Sequence, residues 1–296
     1  MLVSMEITPF YEEQSGTWTY LLADPTGRVA VIIDPVWVYN PVSGKTDFSF
    51  MDQVLDTAKQ DDYRIEWVLE THAHADHLTA AHEIRRRTGA GVACHKGICS
   101  VQETFIRAFN MPDVAANGSQ FDLLFGEGDT LQVGELEIRV METPGHTSDS
   151  VTYLVGDAAF VGDTLFAPAY GTARCDFPGG DAGQLYDSIG KIHQLPDETQ
   201  IYLCHFYPKT GEQAISCVSV AESRETNIHI KTGTTKEDYV AMRTARDTQL
   251  GVPKLIIPSL QINIQAGRVP VADSNGVVYI KTPFNQSMAE LVRLET

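Results

Sequence analysis

The stretch Thr71-His72-Ala73-His74-Ala75-Asp76-His77 places three imidazoles and one carboxylate within six residues. It follows an apolar run at residues 65–69, which predicts a buried strand. Crowding such polar groups into a short loop desolvates them without any gain in packing, so a purely structural role is a poor explanation. Imidazole and carboxylate ligands together suit zinc or non-haem iron. The stretch therefore predicts a metal site at the end of a strand.

Further histidine and aspartate side chains follow predicted strands later in the chain. His146 lies on the turn Thr143-Pro144-Gly145-His146-Thr147, after the alternating residues 136–140. Asp163 and His205 each end another apolar run. Rigid strands hold such residues in place while loops expose them, so strand ends far apart in sequence can meet in one site. We expect these side chains to converge with the first stretch on one rim of a sheet sandwich.

These residues, in this order, resemble the metal-binding motifs of the metallo-β-lactamase superfamily. The first stretch matches the family's HxHxDH loop, and Asp34, which closes the predicted strand at residues 29–34, matches its first acidic motif. The resemblance spans residues 7–205 and implies an α/β (α+β) fold, an αββα sandwich of two sheets covered by helices on both outer faces. We expect residues 1–225 to form a metallo-β-lactamase-like catalytic domain and residues 226–296 to form a C-terminal extension packed on it.

Hydrophobic periodicity predicts the remaining elements. Helices are predicted at residues 50–60, 78–88, 98–109, 182–195 and 236–248. Strands are predicted at residues 7–11, 18–23, 29–34, 65–69, 130–140, 151–155, 159–162 and 201–204. Asp76 would then lie where the second helix begins, so its carboxylate has an alternative role as an N-cap.

The composition predicts a soluble, cytoplasmic enzyme. The chain has 296 residues, of which 43% are hydrophobic, enough for a large core. No apolar run approaches the roughly 18 residues of a membrane helix, and the first residues lack the pattern of a secretion signal. The net charge of -17 disfavours a nucleic-acid partner, because such binding relies on clustered Lys and Arg. Five cysteines without a CxxC pair predict reduced thiols: Cys94, Cys99, Cys175, Cys204 and Cys217.

The ligand set is compatible with two kinds of metal centre. In a two-metal site of the superfamily, Asp163 would bridge two zinc ions that activate hydroxide for hydrolysis of a thioester or lactone. One ion would be held by His72, His74 and His146, and the other by Asp76, His77 and His205. Alternatively, His72, His146 and Asp163 make a two-His-one-carboxylate triad, which leaves positions on ferrous iron open for oxygen and substrate. The identities of the ligands do not separate these alternatives.

The residues around the ligands resemble the persulfide dioxygenase (sulfur dioxygenase) branch of the superfamily, in particular its bacterial members. The branch's Arg-x-Asp-Phe signature matches Arg174-Cys175-Asp176-Phe177. Similarity continues through residues 242–247 and 256–259 to residues 281–285. One departure is His205-Phe206-Tyr207, where many members carry His-Asp-Tyr, so a polar contact available to them is missing here.

The resemblance implies an Fe(II)-dependent persulfide dioxygenase of sulfide metabolism. It would oxidise glutathione persulfide with O2 and water to sulfite and glutathione, using one ferrous ion per chain. The implied iron ligands are His72, His146 and Asp163. The residues that would line the vacated second-metal position and orient the ligands are His74, Asp76, His77 and His205. The alternatives are a dinuclear zinc hydrolase resembling glyoxalase II (hydroxyacylglutathione hydrolase), and a metal or sulfide sensor without turnover.

Two residues are predicted to act on the substrate directly. Arg174 is the first candidate to bind the carboxylates of glutathione, and its structural alternative is a salt bridge with Asp176. Tyr207 lies two residues after His205 and could reach the metal ligand, with an exposed phenol at the edge of the core as its alternative. A persulfide relay through Cys175 is also conceivable, because a thiolate is favoured beside an arginine.

Three more residues are candidate substrate contacts: Thr147, Arg243 and Arg246. The hydroxyl of Thr147 could donate to the substrate, or it could cap its own turn. The two arginines lie three residues apart on one predicted helix face, where they could pair with a carboxylate or remain solvated. A homodimer is the default expectation for a soluble enzyme of this kind.

Overall fold

Two six-stranded sheets lie at the centre of the molecule, of which the computed structural model describes residues 4–292. The first sheet contains, in spatial order, β1 (Glu6–Glu12), β2 (Thr17–Asp24), β3 (Val29–Ile33), β6 (Arg64–Leu69), β8 (Gly91–His95) and β9 (Leu123–Phe125). The second contains β10 (Thr130–Val133), β11 (Leu136–Glu142), β12 (Val151–Val155), β13 (Ala158–Phe160), β14 (Gln200–Tyr202) and β15 (Cys217–Ser219). A small third sheet contains β5 (Lys45–Asp47), β4 (Val36–Asn40) and β7 (Leu78–Thr79).

Helices cover the outer faces of the two large sheets. They are α1 (Ser49–Gln60), α2 (Ala81–Thr88), α3 (Ile98–Ala108), α4 (Ala182–Ile192), α5 (Val220–Thr226), α6 (Lys236–Asp247), α7 (Ile256–Asn263) and α8 (Met288–Leu291). Helices α1, α2, α3 and α7 bury apolar side chains in one cluster with the first sheet. Helices α4 and α6 do so in the cluster that contains the second sheet. The predicted αββα sandwich is confirmed.

Strand β2 shows why the sheets occupy the middle of the sandwich. All eight of its residues are buried, so both faces of the strand must be covered. Tyr20 and Leu22 point into the cluster shared with the second sheet, whereas Leu21 and Ala23 point into the cluster shared with the helices. This alternation follows from the two-residue repeat of a strand.

Parallel strand pairs bring the candidate ligands to one rim. Ile33 at the end of β3 pairs with Leu69 at the end of β6, so Asp34 and the histidine-rich loop leave the first sheet side by side. In the second sheet β13 and β14 are also parallel, and Asp163 and His205 follow their ends. Because the carboxyl ends of parallel strands share one edge of a sheet, residues distant in sequence meet there.

Strand pairing explains two of the differences between the predicted and the observed elements. The strand predicted at residues 130–140 is the hairpin of β10 and β11, which turns at Gly134 with a φ of +58°. The helix predicted at residues 78–88 begins only at Ala81, because Leu78 and Thr79 form β7 and pair with β4. The alternative N-cap role of Asp76 is therefore wrong.

The segment after residue 225 packs on the sandwich through two helices, one on the side of each large sheet. Helix α6 packs against α4, and α7 packs against β7 and α3. The division at residues 225 and 226 falls in the last turn of α5 and stays a prediction. Within residues 4–292, no helix combines the length and the apolar character needed to cross a bilayer.

Candidate metal centre

Five loops at one rim deliver the candidate ligands. Asp34 follows β3, and the loop from His72 to His77 follows β6. His146 lies between β11 and β12, while Asp163 and His205 follow β13 and β14. All of these side chains are buried except that of Asp76, which is half-buried.

Gly162 allows the Asp163 loop to approach the histidine loop closely. Its φ is +52°, and an added Cβ atom would lie 2.6 Å from Thr71 Oγ1. A side chain would clash there and would also strain the backbone. Glycine at this position therefore allows the carboxylate of Asp163 to reach the histidines.

His72, His146 and Asp163 form one group of possible ligands. One ligand atom from each of the three lies within 4.8 Å of the others. Asp163 Oδ2 is 3.5 Å from His146 Nε2 and 3.9 Å from His72 Nε2. Two imidazoles and one carboxylate in this arrangement are the donor set of a two-His-one-carboxylate centre.

A second group lies on the other side of the same carboxylate. Ligand atoms of His74, Asp76 and His77 also lie within 4.8 Å of one another. His205 Nε2 is 3.3 Å from Asp76 Oδ2 and 3.3 Å from Asp163 Oδ1. Asp163 thus presents Oδ2 to His72 and His146 and Oδ1 to His205, so its two oxygens face different histidines.

The histidine rings are anchored through Nδ1. His72 Nδ1 is 3.0 Å from Thr71 Oγ1, His146 Nδ1 donates to the carbonyl oxygen of Arg174 at 2.8 Å, and His205 Nδ1 is 3.3 Å from the carbonyl oxygen of Gly16. Ligating histidines characteristically use their second nitrogen in this way. The Nε2 atoms of His72, His77 and His205 are buried and have no hydrogen-bond partner among residues 4–292. These unpartnered atoms fit the donor set of a metal ion.

The histidines of the site differ in how readily they take up a proton. Burial, together with the neighbouring histidines, holds the pKa of His72 well below its usual range, and burial and His74 lower the pKa of His77 to about 4. Burial opposes ionisation of Asp76, but His205 and His77 outweigh it and lower the pKa of this carboxyl to about 2. Burial opposes protonation of His74 and His205, but Asp34 outweighs it at His74, and Asp163 and Asp76 outweigh it at His205, so the pKa of both rings is raised. Because metal binding requires neutral imidazoles, an ion would compete with a proton at these two rings but not at His72 and His77.

Asp34 organises the start of the histidine loop. Its Oδ1 atom accepts from the backbone N–H of Thr71 at 2.8 Å, and its Oδ2 atom accepts from the Thr71 hydroxyl at 2.9 Å. His74 Nε2 lies 3.0 Å from Asp34 Oδ1. This contact leaves His74 Nδ1 as the unpartnered ring nitrogen.

Sequence reasoning missed three residues that support the loop. Asp149 Oδ2 accepts from the backbone N–H of Ala73 at 2.9 Å. Glu70 Oε2 lies 3.5 Å from His74 Nε2 and is itself buried. The sequence did offer a signal for Glu70, which is an acidic residue between a strand predicted to be buried and the histidine loop. It offers no such signal for Asp149.

The third missed residue, Asn263, comes from α7 and reaches the loop from the C-terminal part of the chain. Its Nδ2 atom donates to the carbonyl oxygens of His74 and His77, both at 2.8 Å. Its Oδ1 atom accepts from the backbone N–H of Thr79 at 2.8 Å. All of these partners are buried, so one side chain satisfies three backbone groups of the loop.

A cavity of about 680 Å³ opens onto the candidate ligands. Its walls include Asp76, His77, His146 and Asp163. Much of the remaining wall is aromatic: Trp37, Tyr39, Phe166, Tyr170, Phe177 and Tyr207. This volume is typical of a site for a small organic ligand.

Arg174 lines the cavity, but its guanidinium is already engaged. Nε and Nη2 donate to the two carboxylate oxygens of Asp176 at 2.6 and 2.7 Å, and Nη1 donates to the carbonyl oxygen of Gly251 at 2.6 Å. The structural alternative, a salt bridge to Asp176, is therefore present. Substrate could use only the two N–H donors that these bonds leave.

Tyr207 lines the cavity, whereas Thr147 does not. The ring of Tyr207 stacks on His205 with centroids 5.7 Å apart, and its side chain lines the cavity and is 51% exposed. The hydroxyl of Thr147 instead shares a hydrogen bond of 2.6 Å with Ser150 Oγ, and Thr147 is not part of the cavity wall. A substrate contact by Thr147 has no support in this geometry, because its hydroxyl is used within the turn.

The two arginines of α6 differ from the expectation of a shared solvated face. Arg243 is 2% exposed, pairs with Asp247 at 2.7 Å and donates to the carbonyl oxygen of Thr172 at 3.1 Å. A solvated Arg243 is therefore wrong, since the side chain is a buried anchor. Arg246 is exposed, lines the cavity and makes no ion pair within the described part of the chain.

The five cysteines are unpaired, and Cys175 is not an activated thiol. Burial and the nearby carboxylate of Asp247 raise the pKa of Cys175 to about 12. The expectation that Arg174 favours a thiolate there is wrong, because the guanidinium is committed to Asp176.

A family model described as the Metallo-beta-lactamase superfamily matches residues 14–205. The chain belongs to that superfamily. The resemblance expected from the HxHxDH loop and the later strand ends is confirmed.

The curated relatives of the chain have different names. It is 45% identical over 292 residues to a probable metallo-hydrolase of Burkholderia pseudomallei (95% of this chain and 99% of that protein). It is 40% identical over 283 residues to Glyoxylase B2 of Dictyostelium discoideum (95% and 97%). It is 33% identical over 227 residues to the mitochondrial persulfide dioxygenase ETHE1 of Mus musculus (73% and 72%). The chain spans only 64% of the length of the beta-lactamase hydrolase-like proteins it also matches.

Among solved structures, the chain is similar to ETHE1 from Myxococcus xanthus. The TM-score is 0.72 and the sequence identity is 32%. The match covers 89% of this chain and 100% of the ETHE1 chain. Similarity to ETHE1 therefore extends beyond the segment that the family model matches.

Proposed function

We propose that the protein is a persulfide dioxygenase that oxidises glutathione persulfide. One persulfide, one O2 and one water give one thiol and one sulfurous acid, so the outer sulfur is oxidised and dioxygen is reduced. The observation that carries the proposal is the compact group of His72, His146 and Asp163 in a chain that is similar to ETHE1 over most of its length.

The group would hold a single ferrous ion, which would mediate the transfer of electrons from the persulfide sulfur to dioxygen and would offer open positions for both. The chain's own contribution is orientation. The carbonyl oxygen of Arg174 fixes the ring of His146, and Thr71 fixes the ring of His72. Fixed rings keep the ligand atoms in position while substrates exchange.

The cavity walls suit a thiol that carries carboxylates. Arg246 and Lys254 line the cavity and form no ion pair with a residue in 4–292. In a chain with a net charge of -17, such cations attract an anionic substrate locally. The aromatic walls would exclude bulk water from the reacting sulfur.

A dinuclear zinc hydrolase of the glyoxalase II type is the second candidate. It is favoured by the second group of ligands, because Asp163 lies between the two groups and His205 contacts both Asp76 and Asp163. The names of the relatives with 40 and 45% identity also favour it. In that case two zinc ions would activate a hydroxide for thioester hydrolysis.

Reconstitution separates the two candidates. Metal-stripped protein is loaded anaerobically with Fe(II) or with Zn(II), its metal content is measured, and each form is given fresh glutathione persulfide and a glutathione thioester. We expect oxygen uptake and sulfite from the iron form, with about one ion per chain, and negligible thioester cleavage by either form. Rapid thioester cleavage by a form with two zinc ions, and no oxygen uptake by the iron form, would overturn the proposal.

A further inference from the structure

His229 lines the same cavity as the candidate ligands, yet it belongs to neither group. It lies in the segment between α5 and α6, and its side chain is half-buried in the cavity wall. No described residue accepts a hydrogen bond from its Nε2 atom, although its Nδ1 atom is bonded. The ring therefore has one committed nitrogen and one that is free to meet a ligand.

The position of the ring is fixed by buried backbone contacts. Asn227 is fully buried; its Oδ1 atom accepts from the backbone N–H of His229 at 2.9 Å, and its Nδ2 atom donates to the carbonyl oxygen of Gly171 at 3.0 Å. Gly171 has a φ of +83°, and an added Cβ atom would lie 2.1 Å from His229 Nδ1. Glycine at that position lets the imidazole pack directly against the backbone.

The hydrogen bonds to Nδ1 define the tautomer. The backbone N–H of Thr172 lies 3.0 Å from His229 Nδ1, and a backbone N–H can only donate. Nδ1 is therefore the acceptor, and the ring proton is on Nε2. The hydroxyl of Tyr239 donates to Thr172 Oγ1, so the Thr172 hydroxyl, 3.4 Å from Nδ1, can direct its own proton to the same nitrogen.

The charged groups near the ring favour its neutral form. Burial, followed by Arg243 and Arg246 on α6, lowers the pKa of His229 to about 4. At neutral pH the imidazole is thus an uncharged donor with a fixed orientation. Arg246, exposed on the same cavity wall, supplies positive charge beside it.

We propose that His229 is a specificity-determining residue whose Nε2–H donates a hydrogen bond to a carboxylate or amide carbonyl oxygen of the thiol that carries the persulfide. The inference rests on the proposed function for the identity of the substrate, but not for the contact itself. A persulfide with peptide-like oxygens in its tail gains this bond, whereas a persulfide on a plain aminoalkyl chain does not. His229 thereby selects the carrier and leaves the reacting sulfur to the metal centre.

Two substitutions distinguish the acceptor role of Nδ1 from the donor role of Nε2. His229→Asn places an amide oxygen near the position of Nδ1, so it can still accept from Thr172, but it lacks a donor at the position of Nε2. His229→Gln reaches further and restores a donor near that position. Melting temperature and metal content of both variants report whether the fold and the metal centre remain intact.

The binding test uses S-methylglutathione, which has the tail oxygens but no thiol to ligate the metal. We expect the Kd measured by calorimetry on metal-loaded protein to rise about tenfold in His229→Asn, as for a lost hydrogen bond to a charged group, and to remain near wild type in His229→Gln. An unchanged Kd in a folded His229→Asn variant overturns the inference. So does a wild-type protein that does not bind S-methylglutathione.

The kinetic test compares glutathione persulfide with 2-aminoethyl persulfide, which has no carbonyl group. We expect His229→Asn to raise KM for glutathione persulfide about tenfold with kcat nearly unchanged, and to leave both constants unchanged for the aminoethyl compound. Equal losses with both substrates would assign His229 a merely structural role. If no form of the protein consumes oxygen, the proposed function fails, while the binding test still decides the role of His229.

Discussion

Replacing Asn263 by Ala should loosen the metal-binding loop without removing any candidate ligand. The substitution leaves three backbone groups without a hydrogen-bond partner: the carbonyl oxygens of His74 and His77 and the N–H of Thr79, all of which bond to Asn263 at 2.8 Å. A buried polar group left without a partner costs roughly 1 to 3 kcal/mol. Entry of water into the space would offset part of this, so we expect a loss of about 3 kcal/mol in the free energy of unfolding.

The assay is urea denaturation of the metal-free protein, because bound metal would add its own stabilisation. The same variant should bind metal about tenfold to a hundredfold more weakly in competition with a chelator, as is usual when the support of a ligand is removed. Ser259→Ala on the same helix is the matched control. Its Oγ atom is buried without a partner among the described residues, so its loss should leave stability unchanged or slightly higher.

The reasoning fails if the free energy of unfolding of Asn263→Ala lies within about 1 kcal/mol of wild type while the control behaves as expected. The loss of all three hydrogen bonds would then cost no more than one ordinary hydrogen bond contributes. It also fails in part if stability falls but metal affinity does not. That result would make Asn263 a contact of the core that does not position the loop.

Three further predictions concern residues around the cavity. Asp163→Ala removes the carboxylate that lies within 3.5 Å of both His146 and His205, so metal content measured by mass spectrometry should fall at least roughly tenfold. If the two spare donors of Arg174 bind substrate, Arg174→Ala should lower kcat/KM roughly tenfold to a hundredfold and leave the metal content unchanged. A loss of activity in step with a lower melting temperature would instead show that the main role of Arg174 is its bonds to Asp176 and Gly251. Cys175 should resist iodoacetamide at about pH 8, because its pKa near 12 leaves almost no thiolate there, and rapid labelling of the native protein would contradict this.

The sequence predicted the parts of the site that carry their own chemistry. The loop from His72 to His77 and the strand ends at His146, Asp163 and His205 combine metal-binding side chains with apolar strands, and both signals are local. The same runs predicted nine of the fifteen strands within residues 4–292, with β10 and β11 taken as one, but not β4, β5, β7, β8, β9 or β15. Each of the five predicted helices lies within three residues of an observed helix at either end. Local patterns sufficed because strand and helix repeats are properties of short segments.

What the sequence did not reveal depends on contacts between distant segments. Helix α7 is buried at every position but one, so it lacks the polar stripe by which a surface helix is recognised, and Asn263 could not be placed. Arg243 looked like a solvated helix residue until Asp247 and the carbonyl oxygen of Thr172 were seen to enclose it. Pairing of Leu78 and Thr79 with β4 likewise overrode a pattern that favoured a helix.

The anchoring of the histidine rings has a consequence for how the protein acquires its metal. Thr71, Arg174 and Gly16 hold the rings of His72, His146 and His205 through contacts within the chain, and these contacts do not depend on which ion is bound. A set of nitrogen and oxygen donors held in this way follows the general order of divalent affinities, in which zinc binds more tightly than ferrous iron. The metal found in a purified sample would then record the supply in the growth medium and the history of exposure to air, and a cell that needs the iron form must control which ion reaches the protein first.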